Sequence, residues 1–108
     1  MKGDKLGEFE EFALLAVCTL KDATYGVPVQ QSIEKYTGRN VTVGAVYAVL
    51  ARLEHKGLVR SVLGDATPVR GGKRKRLFEP TEAGLREIRA LRRVRERLWQ
   101  AIESRGRA

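Results

Sequence analysis

One stretch, Val41 to Val59 (VTVGAVYAVLARLEHKGLV), constrains this chain more than any other. It carries a start signal, a stop signal and two unlike faces for a single helix. Thr42 stands where a hydroxyl can accept a hydrogen bond from an orphan amide of the first turn. Gly57 stands where the chain needs a left-handed residue to leave a helix. Between them Val46, Val49, Leu50 and Leu53 recur at helical spacing and form one apolar stripe. The opposite face carries Gly44, Ala48, Ala51 and His55, flanked by Tyr47 and Arg52. A helix whose outward face is reduced to small side chains can lie close against another body. In a chain of 108 residues with a formal net charge of +8, the expected body is a nucleic-acid groove.

The segments on either side supply a scaffold for that helix. Residues 1–7 read as a loose polar arm. The first helix is expected over Glu8–Leu20, with Glu8, Glu10 and Glu11 in its first turn, where the helix dipole favours negative charge. Phe12 to Cys18 is then apolar without interruption, and a helix apolar all round must be covered on more than one side. A chain this short has little material for that, so part of the helix, including Phe12 and Leu15, is expected to be covered by a second copy. Lys21–Thr24 forms a turn. A second helix spans Tyr25–Thr37, with Pro28 tolerated in its first turn, a buried stripe of Tyr25, Val29, Ile33 and Tyr36, and Gly38 as its stop.

After Gly57 the pattern changes. Leu58–Leu63 reads as a strand and Arg76–Glu79 as its return, ended by Pro80. The loop between them, GDATPVRGGKRK, makes a basic hairpin tip with Arg70, Lys73, Arg74 and Lys75. Thr81 caps a last helix that is expected to reach Glu103. Ile88, Leu91, Leu98, Trp99 and Ile102 share one of its faces, with Arg95 in their midst, and Arg86, Arg89, Arg93 and Arg97 line the other. So long and amphipathic a helix suits pairing with another helix. Its arginine stripe reads first as a solvated face; a second DNA surface and a membrane-surface helix are the alternatives, and the latter leaves the hairpin and the small-faced helix unexplained.

Several functions are excluded by what is missing. One cysteine, Cys18, permits no internal disulfide and, lying in an apolar run, is expected to be a buried thiol. One histidine and one cysteine assemble no zinc site, so no metal is expected, and no cofactor either. No run approaches the ~18 apolar residues of a membrane span, and the first residues hold acids where a secretory signal needs apolar ones, so no membrane partner and a reduced, cytoplasmic setting are expected. No nucleophile–base pair, carboxylate pair or phosphate-cradling glycine loop marks an enzyme, and GGKRK lacks the spacing and flanks of a P-loop.

Three helices followed by a hairpin with a basic tip give the order of a winged helix-turn-helix: a mainly α (α+β) fold with a two-stranded basic wing and a long C-terminal helix. Residues 8–80 would be the DNA-binding domain and 81–108 the dimerisation helix and tail. In that architecture the third helix enters the major groove. Phosphate contacts are expected from Arg70, Lys73, Arg74 and Lys75, with Tyr25 and Thr42 holding the backbone. Gly44, Ala48 and Ala51 would allow close approach and touch thymine methyls, Tyr47 would add a polar contact, and Arg52 is the only fork donor on that face. A winged-helix nucleoid- or RNA-associated protein without a discrete operator is the competing reading.

The motifs also resemble a known family. Tyr25-Gly26, then Gly44-Ala45-Val46-Tyr47 with Leu50, Arg52-Leu53-Glu54 and Gly57-Leu58-Val59, resemble the helix-turn-helix of PadR-type transcriptional regulators. Arg70-Gly71-Gly72-Lys73-Arg74 is similar to their wing tip, and Thr81-Glu82-Ala83-Gly84 to the signal that opens their last helix. The likeness covers about residues 6–103 and looks like the smaller subgroup, with one helix after the wing. It implies a homodimeric repressor on a palindromic double-stranded DNA operator, with helices 1 and 4 at the dimer interface and a small-molecule effector in many members. Two positions depart. Pro80 replaces the usual leucine before the threonine. Arg95 stands where multidrug-sensing relatives stack flat ligands on a tryptophan, while Trp99 lies one turn on. Arg95 is therefore expected to snorkel, to pair with an acid of the partner, or to bind an anion; an effector site, if built here, would involve Arg95 and Trp99.

Overall fold

A computed structural model describes residues 5–64 and 75–107. The elements are α1 (Glu8–Thr19), α2 (Gly26–Thr37), α3 (Val43–His55), β1 (Val59–Leu63), β2 (Arg76–Pro80) and α4 (Glu82–Arg107). The strands pair antiparallel, from Val59 opposite Pro80 to Leu63 opposite Arg76. The turn after α1 joins them through one isolated bridge, in which the Thr24 amide donates to the Phe78 carbonyl at 2.9 Å and the Phe78 amide returns a bond at 2.6 Å. The hairpin is thus tied to the start of the helix-turn-helix as well as to its end.

The helix limits follow from their caps. Thr42 Oγ1 accepts from the Ala45 amide at 3.0 Å, as its position predicts. Gly57 has φ 78°, its amide donates to Glu54, and the Leu58 amide donates to Leu53, so α3 ends in a Schellman motif. Pro80 takes the last ladder position opposite Val59, where its missing amide costs little. Thr81 then welds α4 to the end of α3: its hydroxyl donates to the Gly57 carbonyl (2.7 Å) and accepts from the Gly84 amide (3.0 Å), and its own amide donates to Leu58 (3.0 Å). Gly84 lies hard on that crossing, since a Cβ there would stand 2.1 Å from the Leu58 carbonyl oxygen.

Leu14 and Val17 of α1, Val29 and Ile33 of α2, and Val46, Val49, Leu50 and Leu53 of α3 are fully buried, closed by Val59 and Phe78 of the hairpin. Each such side chain contributes roughly 1.5–3 kcal/mol by leaving water. The stripe expected on α2 is correct for Val29 and Ile33 and wrong for Tyr36, which is 67% exposed. Ser32 is buried in that part of the face instead, its hydroxyl sharing a 2.8 Å hydrogen bond with Thr19 of α1. Tyr25 is the residue before α2 rather than part of its stripe. The chain also covers most of α1 itself; Leu15 is the apolar residue left exposed there, while Phe12 is half-buried beneath the Arg39 guanidinium. Cys18 is only partly buried; burial pushes its thiol pKa up, against the opposing charge of Arg89. Helix α4 runs to Arg107, past the expected end at Glu103, and from Arg92 to Gly106 its residues are exposed.

The three acids of the first turn of α1 are fastened to three different elements. Glu8 pairs with Arg39 beyond α2, Glu11 with Arg95 of α4, and Glu10 with Arg52 (3.3 Å) of α3 and Lys56 (2.8 Å) just past its end, besides accepting from the Gly7 amide. Burial alone would raise the Glu10 pKa, but the hydrogen bonds from Lys56, Gly7 and Arg52 outweigh it and hold the carboxyl below the usual glutamate value. A carboxyl whose pKa is lowered by folding adds stability above the ordinary glutamate range and loses it as pH falls through the folded value. Glu10→Gln is therefore expected to cost about 1–3 kcal/mol at neutral pH, mainly through the half-covered Lys56 bond, because the exposed Arg52 bond is screened. Urea melts of both proteins check this: the difference should shrink steadily below about pH 4. A gap that stays constant down to about pH 2 would mean that the carboxylate charge is not what α3 uses.

Candidate nucleic-acid interface

The outward face of α3 is as bare as its sequence requires. Gly44, Ala45, Ala48 and Ala51 are exposed and Thr42 stands at the leading end. The two larger residues expected to read bases are both engaged within the chain. The Tyr47 hydroxyl accepts from the Gly26 amide at 3.1 Å, and its ring lies over Gly26 and 6.3 Å from the Phe78 ring. A Cβ on Gly26 would stand 2.4 Å from that ring, so Gly26 is the residue that lets α2 and α3 close to this distance. Tyr47 keeps one hydroxyl proton and a partly exposed edge for an outside partner, but it also braces α3 against α2 and β2. Arg52 leans back, its Nε donating to Glu10. Sequence reasoning missed the Gly26 and Glu10 contributions because each depends on a partner 21 or 42 residues away.

The wing base is fixed to α3 by Glu54, whose Oε2 accepts from both the Ser61 amide (3.1 Å) and the Ser61 hydroxyl (2.7 Å). Ser61 in turn accepts from Arg76 across the hairpin at 2.9 Å, while Arg60 pairs with Glu79. Lys75 Nζ lies 4.3 Å from the centroid of the Tyr25 ring, which brings two of the expected phosphate-contacting residues together beside the start of α2. One residue beyond the paired strands, the Gly64 amide donates to the Lys75 carbonyl at 2.7 Å. Arg70, Lys73 and Arg74 lie outside the described residues.

A second surface is apolar. Val94, Leu98, Trp99 and Ile102 of α4 are exposed, Leu98 and Trp99 by about three-fifths. Between α1 and α2 lies a shallow groove of about 220 Å³ floored by Phe12, Leu15, Ala16 and Ile33 and flanked by Tyr36. Of the other residues expected at an interface, Ile88 packs against the core of its own chain and Leu91 is half-buried. Arg95 departs from expectation more clearly. It grips Glu11 of the same chain with two nitrogens, at 2.6 and 3.2 Å, so its charge is met without a partner's acid.

Among the described residues no group of three potential metal ligands comes together, and no helix is long and apolar enough to cross a membrane. Three packed helices, an α3 presented at the surface with a bare face, and a hairpin braced beside it define a winged helix-turn-helix protein. Residues 14–90 match the transcriptional regulator PadR-like family, and the chain belongs to it. Solved structures with the same fold include a PadR-like transcriptional regulator from Bacillus cereus, with 18% identity, a TM-score of 0.68, and coverage of 89% of this chain and 88% of that one. A PadR family regulator from Eggerthella lenta shows 22% identity, a TM-score of 0.68, and coverage of 90% and 84%. A transcriptional regulator from Clostridium thermocellum shows 21% identity, a TM-score of 0.66, and coverage of 88% and 89%. No curated protein matches the chain. The family makes this a DNA-binding regulator of transcription.

Proposed function

We propose that the protein is a homodimeric repressor that binds a palindromic operator, each subunit laying the bare face of α3 in the major groove and gripping phosphates with its wing. The observation that carries this reading is the pairing of an unobstructed small-residue face, Gly44, Ala48 and Ala51, with the Tyr25–Lys75 cluster beside it. With Arg52 drawn back to Glu10, α3 has few groups for bidentate base pairs. It seats by fit, touching thymine methyls through its alanines, while groove shape supplies further selectivity. Thr42, Tyr25, Lys75 and the wing residues Arg70, Lys73 and Arg74 hold the phosphates. Residues 8–80 form the reading unit. The helix from 82 onward, with Leu15 and Phe12 of α1, forms the dimer seam, where Trp99 beside the Arg95–Glu11 pair offers a stacking surface for a flat effector.

A footprint over the upstream region of its own gene tests the operator: a discrete palindrome is expected, whereas uniform coverage would favour a nucleoid- or RNA-associated role. The phosphate grip has its own measure. With about four contacts per subunit, log K against log[salt] should slope near −7, by the rule of ~0.9 per phosphate. A slope shallower than about −2 would remove the wing from the mechanism.

A further inference from the structure

Among the described residues, Arg92 of α4 pairs with Glu96 and Arg95 with Glu11, whereas Arg86, Arg89 and Arg93 of the same helix form no ion pair. These three project from one side of the helix into a groove of about 510 Å³ that runs between α4 and the end of α3. Its floor is apolar, made by Leu58, Ala83 and Ala90; Lys56, already held by Glu10, and Glu87 complete the lining. A volume of this size is typical of small-ligand sites.

We propose that this groove binds an organic anion bearing two or more phosphate groups, a site separate from both the DNA-reading face and the apolar seam. A guanidinium fork satisfies one carboxylate or phosphate face, so three unpaired forks spread over roughly 10 Å of helix call for several anionic groups in series. The apolar floor takes the organic body, and Glu87 accepts a hydrogen bond from a hydroxyl or amino group on it. A second copy is a poor occupant, because the chain carries a net charge of +8 and would bring like charge to an arginine face. Duplex DNA is a poor one too, since its backbone makes no use of a concave apolar floor. Ordinary surface arginines would show neither the groove nor the floor.

The test is calorimetric titration of the full chain with adenosine diphosphate and, separately, inorganic pyrophosphate. Saturable binding of both is expected, with the nucleotide tighter by about tenfold because its base covers the floor. The triple variant Arg86→Gln, Arg89→Gln, Arg93→Gln should bind at least about tenfold more weakly, while Arg105→Gln, outside the groove, stays within about twofold of wild type. All four side chains are exposed, so thermal melts should confirm intact folds. Absence of saturable binding in the wild type, unchanged binding in the triple variant, or an equal loss in Arg105→Gln would overturn the site. Operator affinity measured without nucleotide separates this from DNA reading: the triple variant should stay within about threefold of wild type. A loss beyond about tenfold would assign the arginines to duplex phosphates and overturn the proposal; failure of wild-type operator binding would overturn only the repressor reading.

Discussion

Leu98→Asp is expected to halve the particle mass in light scattering and to abolish tight operator binding. Leu98 touches nothing in its own chain that would bury it, yet it lies in a continuous strip with Val94, Trp99 and Ile102. An apolar strip of this kind on an amphipathic helix has a reason to exist if a second copy covers it. A carboxylate placed at the centre of that contact would be buried without a partner, and desolvation would cost several kcal/mol per subunit. The fold of each subunit should survive, because the core lies in α1–α3 and the hairpin. Two recognition helices must meet one face of DNA about one helical turn apart, ~34 Å, and only a dimer fixes that distance. Losing the second half-site converts intramolecular engagement into independent binding, so affinity should fall by at least about a hundredfold. An unchanged mass would move the interface away from α4.

The sequence was most informative where the physics is local. Thr42, Gly38, Gly57 and Thr81 mark helix ends because a cap acts within one turn of the residue that supplies it, and α2, α3 and α4 begin or end where these residues stand. The apolar stripe of α3 was legible for the same reason. What sequence reading lost was non-local. Glu8, Glu10 and Glu11 look like a dipole-facing cluster until the fold brings Arg39, Lys56 and Arg95 to them. Spacing alone carried the α2 stripe on to Tyr36, whereas the buried face of α2 is Val29, Ile33 and Ser32, the last bonded to Thr19 of α1. Arg95 sits on the apolar face by spacing, and only the approach of α4 to α1 reveals its acid. The candidate site divides in the same way: the bare residues of α3 could be listed from their spacing, but not the contacts that hold Tyr47 and Arg52 back from it.

Gly84→Ala is expected to destabilise the protein by about 2–4 kcal/mol in urea unfolding, although helix propensity alone predicts a gain of up to ~1 kcal/mol. The sign is decided by the crossing. The new methyl would stand 2.1 Å from the Leu58 carbonyl oxygen, and that oxygen belongs to backbone fixed by the Schellman turn of α3 and by the Thr81 amide. Neither side can yield as a flexible side chain does, so α4 must move off, straining or breaking the Thr81–Leu58 and Thr81–Gly57 hydrogen bonds. Gly106, in the same helix, is the control: nothing stands within 4 Å of a Cβ there, so Gly106→Ala should be neutral or slightly stabilising. A Gly84→Ala protein as stable as the wild type would show that the α3–α4 junction is looser than this contact allows. The junction also carries the helix proposed to form the dimer seam, so in that dimer a shifted α4 should change the separation of the two α3 helices. Operator binding should therefore fall further in Gly84→Ala than its folded fraction explains, and inserting or removing one base pair between half-sites is the measurement that would detect the new spacing.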